Sequence, residues 1–306
     1  MRNAFAEEMT RVAANDKRVV VLSGDIGNKL FDKLKAVDPK RFYNCGIAEA
    51  NMMGVAAGMA MSGLRPFVYT ITPFTTTRCF EQIRVDVCYH HAPVVIVGTG
   101  SGLSYSELGP THHSLEDMAI LRTLPGMRVV APCDASELRQ VLHETLKDDS
   151  PTYIRIGKKG EAVIHQSLPD LRLGKVLVIR PGTDVALLCA GNMMADTLKA
   201  ADLLADKGVS AEVVSFHTVK PLDADYLKQA VARFKLLVTV EEHSRIGGLG
   251  SAVAEWRMAQ PHNVAQISFG TDDVFMHEVG SQAYARKKYG LTAENIFSTT
   301  LAALRA

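Results

Sequence analysis

Gly46-Ile47-Ala48-Glu49 is the stretch of sequence that decides the fold class. It follows a short extended segment at 42–45 and opens the helical run Ala50–Gly58, which is rich in glycine and alanine. In α/β layers, ligands bind at the carboxyl ends of strands, where the chain turns into a helix. The sequence therefore places the carboxylate of Glu49 at a corner of this kind.

Two interpretations of Glu49 are open from the residues alone. An acidic side chain at the start of a helix can simply satisfy that helix terminus. Alternatively, the small residues 54, 56, 57, 58 and 60 predict a smooth helix surface suited to close packing against another helix. A carboxylate beside such a seam is poorly solvated, which suits it to hold or exchange a proton.

The rest of the chain alternates strand-like and helical patterns, which is typical of parallel sheets wound with helices. We predict two tandem α/β domains of this kind, at 1–160 and 177–306, joined by a polar linker at 161–176. The predicted strands of the first domain are 18–22, 67–71, 93–98, 128–131 and 152–156, and its helices are 4–15, 50–61, 79–89, 115–123 and 135–147. The predicted elements of the second domain are 184–190, 195–207, 211–216, 223–233, 236–241 and 251–258.

Composition argues against several classes of function. The 306 residues are 47% hydrophobic and 22% charged, with a net charge of +1, so nothing attracts the chain to nucleic acid or to an anionic membrane. The five cysteines form no Cys-x-x-Cys pair, which favours reduced thiols in a cytoplasmic protein. We see no signal peptide or membrane-spanning run, and expect a cytoplasmic location.

Taken together, the motifs of the chain resemble the transketolase family. The similarity is to the C-terminal half of transketolases and 1-deoxyxylulose-5-phosphate synthases, and to the β subunits of 2-oxoacid dehydrogenases. The motifs that carry it, in chain order, are Gly46-Ile47-Ala48-Glu49, Thr72-Pro73-Phe74, Phe80-Glu81-Gln82-Ile83-Arg84, Gly109-Pro110-Thr111-His112, Ala131-Pro132-Cys133-Asp134, Val219-Lys220-Pro221-Leu222-Asp223, Glu241-Glu242 and Gly247-Gly248-Leu249-Gly250.

This resemblance implies thiamine diphosphate as the cofactor and assigns residues to it. Glu49 matches the glutamate that hydrogen-bonds the aminopyrimidine ring, so that the cofactor can carry out the carbon chemistry. Phe74 matches the aromatic residue that stacks on that ring, and Phe80 lies near a second family aromatic. Asp25 matches an aspartate near the thiazolium, although a role as a turn or capping residue is equally compatible with its sequence.

The resemblance also assigns residues to the substrate, and here the chain departs from its relatives. His112 matches the histidine that faces the substrate, Arg2 matches a phosphate-binding arginine, and Arg155 or Lys158 could supply another cation. Many transketolases carry an Asp immediately before Gly-Pro-Thr-His and a His about a dozen residues before its final His. The corresponding positions are Leu108 and Gly100. We therefore predict a specialised ketose, such as a phosphorylated or sulfonated sugar.

One family motif is missing from the chain. Transketolases bind the cofactor diphosphate through Mg²⁺ held by Gly-Asp-Gly and a downstream Asn, whereas Gly24-Asp25-Ile26 is the nearest string. His90, His91 and His113 show no zinc-ligand spacing, so we predict no metal ligands on this chain. We interpret the glycine run at 247–250 as backbone packing that helps to form a dimer.

The combined interpretation is one subunit of a split transketolase, which transfers a two-carbon ketol unit between sugars or sugar phosphates. A separate N-terminal subunit with Gly-Asp-Gly and Asn would supply the Mg²⁺ ligands, in an α2β2 assembly. Two alternatives within the family are a 1-deoxyxylulose-5-phosphate synthase-like subunit and a 2-oxoacid dehydrogenase β-like subunit. A different class of function, a non-catalytic assembly subunit, is argued against by the joint presence of Glu49, Phe74 and His112.

Overall fold

The computed structural model describes residues 1–27, 29–261 and 264–305. They form two α/β domains in tandem, each built on a mostly parallel sheet, so the predicted fold class is confirmed. No helix within these ranges is both long enough and apolar enough to cross a membrane.

In the first domain the strands lie close to the predicted positions. In the second domain the structure contains strands that were not among the predicted elements. In chain order the strands are β1 (Val19–Ser23), β2 (Phe42–Asn44), β3 (Arg65–Ile71), β4 (Val95–Thr99), β5 (Arg128–Val130), β6 (Thr152–Ile156), β7 (Leu177–Arg180), β8 (Val185–Ala190), β9 (Ala211–Ser215), β10 (Thr218–Lys220), β11 (Leu236–Ser244) and β12 (Ala265–Thr271).

The helices cover the faces of the two sheets. They are α1 (Arg2–Asn15), α2 (Asp32–Val37), α3 (Glu49–Met61), α4 (Thr72–Thr75), α5 (Phe80–Gln82), α6 (Asp117–Arg122), α7 (Ala135–Glu144), α8 (Met194–Ala205), α9 (Ala224–Arg233), α10 (Leu249–Met258), α11 (Gln282–Lys288) and α12 (Ala293–Arg305). Strands β1, β3, β4, β6, β8 and β9 are buried at every residue, because helices cover both faces of a parallel sheet.

The two domains share a sheet, which the sequence did not predict. In the described part of the chain, the first sheet has the strand order β10-β5-β6-β4-β3-β1-β2, and the second has the order β12-β11-β8-β9-β7. Strand β10 comes from the second half of the chain and pairs antiparallel with β5, with Thr218 opposite Val130. This strand fixes the second domain against the first.

The predicted helix at 79–89 is wrong in detail. A 3₁₀ turn at Thr77–Cys79 leads into the short α5, and the chain then continues as a π-helical turn at Ile83–Tyr89. A π turn uses more residues per turn than an α-helix and often occurs at functional sites. The side chains of this segment, which follows Phe74, therefore repeat with a different spacing from those of a regular α-helix.

The small residues of α3 do not form one smooth surface, so that prediction also needs correction. Ala56, Ala57 and Ala60 are buried in the hydrophobic core of their own domain. Gly58 and Val55 lie on the exposed side, and a Cβ added at Gly58 would meet no atom within 4 Å. The alanines therefore pack within the domain, while the exposed face carries only part of the small-residue run.

Candidate functional site

The predicted site residues gather at one edge of the first sheet. Asp25 follows β1, Glu49 follows β2, Phe74 follows β3, the segment that ends in His112 follows β4, and Lys158 follows β6. These five strands are parallel and adjacent in the order β6-β4-β3-β1-β2. Their carboxyl ends therefore lie side by side, at the edge where such sheets bind ligands.

Glu49 begins α3, and its side chain does not cap that helix. It is only 4% exposed, and its Oε2 accepts a hydrogen bond from Nη1 of Arg78 at 3.0 Å. The guanidinium carbon of Arg78 lies 4.0 Å from the centroid of the Phe74 ring. One planar cation thus contacts both residues that were predicted to hold the aminopyrimidine.

This arrangement tests whether the residues fit the cofactor. An aminopyrimidine needs a carboxylate at one ring nitrogen and an aromatic face against its plane. The guanidinium of Arg78 is flat, donates N–H groups and stacks on rings, and it uses the Glu49 carboxylate and the Phe74 face in the same way. Glu49 and Phe74 therefore have the chemistry that the group requires, and Arg78 occupies one oxygen of Glu49 and one face of Phe74. Sequence reasoning missed Arg78, since nothing in its spacing indicated this contact.

His112 lies beside Phe74, so the structure brings together the cofactor and substrate residues predicted from the motifs. The centroids of the two rings are 5.4 Å apart in an edge-to-face arrangement. Gly109 turns the chain with a φ of +75°, and its carbonyl accepts the His112 N–H at 3.0 Å. The Thr111 hydroxyl lies 2.9 Å from His112 Nδ1, which leaves Nε2 to face a ligand.

The segment between β4 and His112 contains a residue that sequence reasoning missed, Tyr105. Its ring centroid lies 6.1 Å from that of His112 and 4.4 Å from Nζ of Lys158. Lys158 in turn forms an ion pair with Glu107. Leu108 follows in a 3₁₀ turn and is 49% exposed. These residues form a strip that continues from the Phe74–His112 pair.

Residues of the second domain hydrogen-bond the segment that carries this strip. The Glu242 carboxylate accepts the backbone N–H of Leu103 at 2.7 Å. Arg155 is buried, with Nε 3.0 Å from an Asp117 oxygen and Nη2 3.0 Å from the carbonyl of Ser114. Its Nη2 also donates to the Glu242 carbonyl of the second domain at 3.3 Å, so the Arg155 guanidinium joins the loop to that domain. The structure does not support the substrate role predicted for Arg155.

Three further predicted residues have different surroundings. Asp25 lies beside the Glu49 corner, where its N–H donates to the Gly46 carbonyl at 3.1 Å and its Oδ1 accepts from Asn44 Nδ2 at 3.1 Å. Phe80 is half-buried and packs against the core of the first domain. Arg2 is half-buried and lines an open cavity of about 580 Å³. Their roles stay predictions.

The glycine run at 247–250 binds a carboxylate of its own chain. The N–H groups of Leu249 and Gly250, at the start of α10, each donate to the buried Glu241 carboxylate at 2.7 Å. A Cβ at Gly248 would collide with that carboxylate, and one at Gly247 would press on Ala119 of the first domain. Burial raises the pKa of Glu241 to about 7. The run thus packs the two domains of one chain together, and its predicted part in a dimer stays untested.

One cluster in the described ranges has the residue types of a metal site. Ligand atoms of Cys133, Glu137 and His165 lie within 4.8 Å of one another. However, both Glu137 oxygens already have partners: the Cys133 N–H at 2.7 Å and His165 Nε2 at 3.1 Å. The same contact with Glu137 raises the pKa of His165. We interpret the cluster as an ion pair that joins α7 to the linker.

Comparison with known sequences covers both domains. Residues 1–160 match the family described as "Transketolase, pyrimidine binding domain", and residues 174–296 match "Transketolase, C-terminal domain". The chain is 37% identical, over 97% of its length and 92% of the other protein, to 6-deoxy-6-sulfo-D-fructose transketolase subunit SqwH of Clostridium sp. (strain MSTE9). It is 34% identical, over 98% of its length and 96% of the other, to an apulose-4-phosphate transketolase subunit of Phocaeicola vulgatus.

Longer relatives match this chain over only part of their length. 1-Deoxy-D-xylulose-5-phosphate synthase 2 of Geobacter sulfurreducens is 37% identical over 95% of this chain, which covers 47% of that protein. Among solved structures, one described as "Split gene transketolase, inactive beta4 tetramer" is 36% identical, with a TM-score of 0.89 over 99% of this chain and 97% of the other. The transketolase of Campylobacter jejuni, at 18% identity and a TM-score of 0.81, shares the fold.

Proposed function

Because the chain belongs to the transketolase family, as its matches over both domains show, we propose that it is the C-terminal subunit of a split, thiamine diphosphate-dependent transketolase. The reaction is the transfer of a two-carbon ketol unit between sugars or sugar phosphates. The observation that carries this proposal is the meeting of Glu49, Phe74 and His112 at one sheet edge.

Each of these residues has a definite task in the proposed reaction. When bound, thiamine diphosphate supplies the carbanion chemistry that protein side chains lack. The Glu49 carboxylate holds a nitrogen of the aminopyrimidine ring and fixes the position of its proton. Phe74 offers a flat face to that ring. His112, next to Phe74, donates a hydrogen bond to an oxygen that gains negative charge.

The remainder of the site belongs to a partner subunit in this proposal. The Gly-Asp-Gly motif and its Asn, which would hold Mg²⁺ and the diphosphate, do not occur in the sequence of this chain. Both relatives described above that match nearly end to end are named as subunits. We infer an α2β2 assembly in the cytoplasm, with each active site between the two kinds of subunit.

The proposed substrate is a specialised ketose with an anionic end. The Leu108 side chain cannot hydrogen-bond a donor hydroxyl, and Gly100 has no side chain to hold an acceptor phosphate. Lys158 lies at the same edge and supplies a cation next to Tyr105, and Arg2, which lines a separate open cavity, stays a predicted phosphate ligand. The names of the two similar subunits, which mention a sulfonated and a phosphorylated sugar, support this class of substrate.

Reconstitution tests the proposal. We expect the isolated chain to bind thiamine diphosphate weakly and to transfer no ketol unit. Adding the partner subunit and Mg²⁺ should restore both binding and transfer. Calorimetry that shows tight, magnesium-dependent binding to the isolated chain would refute the split site. A reconstituted pair that binds no cofactor would instead indicate a non-catalytic assembly subunit.

A further inference from the structure

The space that a side chain at position 100 would occupy is filled by another residue. It has a φ of +76°, and a Cβ built on it would overlap the Cε2 and Cδ2 atoms of Tyr105. The absence of a side chain at position 100 and the aromatic ring at position 105 are therefore coupled, because the ring needs the space that such a side chain would take. A larger residue at 100 requires Tyr105 to move away.

The ring of Tyr105 lies between the two groups that matter most for a substrate. His112 is on one side at 6.1 Å, and the ammonium of Lys158 is on the other at 4.4 Å. Tyr105 is only 7% exposed, but its hydroxyl makes no hydrogen bond to any residue in the ranges that the structure describes. The hydroxyl oxygen keeps some contact with solvent. That hydroxyl is available to a ligand.

We propose that Tyr105 is a specificity-determining residue of the substrate site. Its ring forms an aromatic wall between His112 and Lys158, and its hydroxyl donates a hydrogen bond to a substrate whose anionic end lies at Lys158. This inference rests on the proposed ketol transfer and adds a residue and a charge preference to it.

The charge preference follows from the neighbours of Lys158. Its ion pair with Glu107 already balances the ammonium. A phosphate carries close to two negative charges at pH 7, and Glu107 would repel the second. A sulfonate carries one charge. The subsite therefore favours a ketose that ends in a monoanion such as a sulfonate over its phosphate counterpart.

The first experiment measures this preference in the reconstituted pair. The two donors are fructose 6-phosphate and its 6-deoxy-6-sulfo counterpart, which differ in the terminal group. We expect the wild type to favour the sulfonate, and Tyr105→Phe to raise KM for it by about threefold to tenfold with little change in kcat, as for one lost hydrogen bond. Unchanged KM, with unchanged cofactor affinity and thermal stability, would overturn the role of the hydroxyl.

Glu107→Gln tests the charge argument separately. Removing this carboxylate frees the ammonium of Lys158, so the kcat/KM ratio should shift toward the phosphate. Glu144→Gln is the matched control, because Glu144 forms a similar ion pair with Lys147 at the end of α7. Equal ratios in the wild type, Glu107→Gln and the control would overturn the charge preference.

A double variant tests the exchange of positions 100 and 105. Gly100→His alone should collide with Tyr105 and lower kcat/KM at least about tenfold for both donors, as expected for overpacking. Gly100→His/Tyr105→Ala removes the collision but keeps the backbone strain of a side chain at a φ of +76°, so it should recover part of the activity and favour the phosphate. A double variant no better than the single one would contradict the coupling. If the wild-type pair binds no thiamine diphosphate, the proposed function itself fails, and this inference fails with it.

Discussion

The site has two sides that differ in how closely they follow the family. On the cofactor side, Glu49 and Phe74 match the family motifs and are held together by one guanidinium. On the substrate side, Gly100 and Leu108 depart from the usual residues, and Tyr105 fills the space that results. The cofactor imposes the same requirements on every relative, whereas the substrate does not. Under the proposed function, we therefore expect the chain to keep the family's cofactor chemistry and to present a different pocket to the substrate.

The largest effect is expected on the cofactor side. Glu49→Gln keeps the shape of the side chain but removes the charge that holds the ring proton. Turnover of the reconstituted pair should fall by about two to four powers of ten, the usual range for proton-transfer roles. Steady-state kinetics at saturating cofactor measures this.

A neighbouring glutamate gives the matched control. Glu81 is exposed and pairs with Arg84, one helical turn away on the same segment. Glu81→Gln should leave turnover unchanged. Near-normal turnover of Glu49→Gln with cofactor bound would contradict the catalytic role of Glu49. The cofactor side would then differ from the substrate side only in its sequence.

A smaller effect is expected on the substrate side. Leu108→Asp restores a hydroxyl partner at an exposed position, so the fold should tolerate it. We expect kcat/KM to shift about tenfold toward ordinary sugar phosphates, as for one charge-assisted hydrogen bond. Leu108→Asn controls for polarity without charge. Full efficiency of the wild type with xylulose 5-phosphate and ribose 5-phosphate, unimproved by Leu108→Asp, would show that the departures do not set specificity.

Arg78 provides a test of the cofactor side that has the opposite sign. Its guanidinium contacts both Glu49 and Phe74, so these contacts must break before the aminopyrimidine can take them over. Arg78→Ala should tighten thiamine diphosphate binding to the reconstituted pair by about threefold to tenfold, a modest effect because Arg78 is partly solvated. Calorimetry measures it, with Arg84→Ala as the control. Weaker binding would instead assign Arg78 to the cofactor-bound state.

The fold was predictable where the signal is local. The strand at 152–156 was placed to the residue, and the first strand was one residue off; the first strand is a nearly continuous apolar run, as expected for a buried parallel strand. Strand β10 was missed: it has three residues, and its partner β5 lies almost ninety positions away. Nothing in so short a segment indicates which sheet it joins.

The site divides in the same way. Glu49, Phe74 and His112 could be predicted because each sits in a motif at the end of a strand, and the sheet order then brings them together. The contact of Arg78 with Glu49 and the cover of Gly100 by Tyr105 depend on side-chain packing through space. The sequence showed that position 100 has no side chain, but it did not show that the ring of Tyr105 fills the space.

The smallest effect concerns how the second domain supports the substrate side. At the end of β11, burial raises the pKa of Glu241 to about 7 and lowers that of His243 to about 4, and His243 Nε2 lies 3.4 Å from the Ala119 N–H of the first domain. Between about pH 4.5 and 7, the folded chain holds a proton on Glu241 that the unfolded chain releases, so this group makes the free energy of unfolding fall as pH rises. From about pH 4 to 6.5, the unfolded chain protonates His243 and the folded chain does not, so the free energy of unfolding rises with pH.

These two slopes oppose each other, and a variant separates them. Together, these two groups should leave the free energy of unfolding nearly flat from about pH 5 to 6 and lower it by about 1 kcal/mol or less up to pH 7. His113 and His217, whose pKa values burial also lowers, add a rising contribution over the same range. Relative to the wild type, the free energy of unfolding of Glu241→Gln should rise with pH between about 4.5 and 7 and run parallel to it above that range. Denaturant unfolding at several pH values gives both slopes, and the comparison uses slopes because the variant also alters the bonds to Leu249 and Gly250. Parallel pH curves for the two proteins would mean that those two N–H groups keep Glu241 ionised throughout, and that the second domain supports the substrate side without any dependence on its proton.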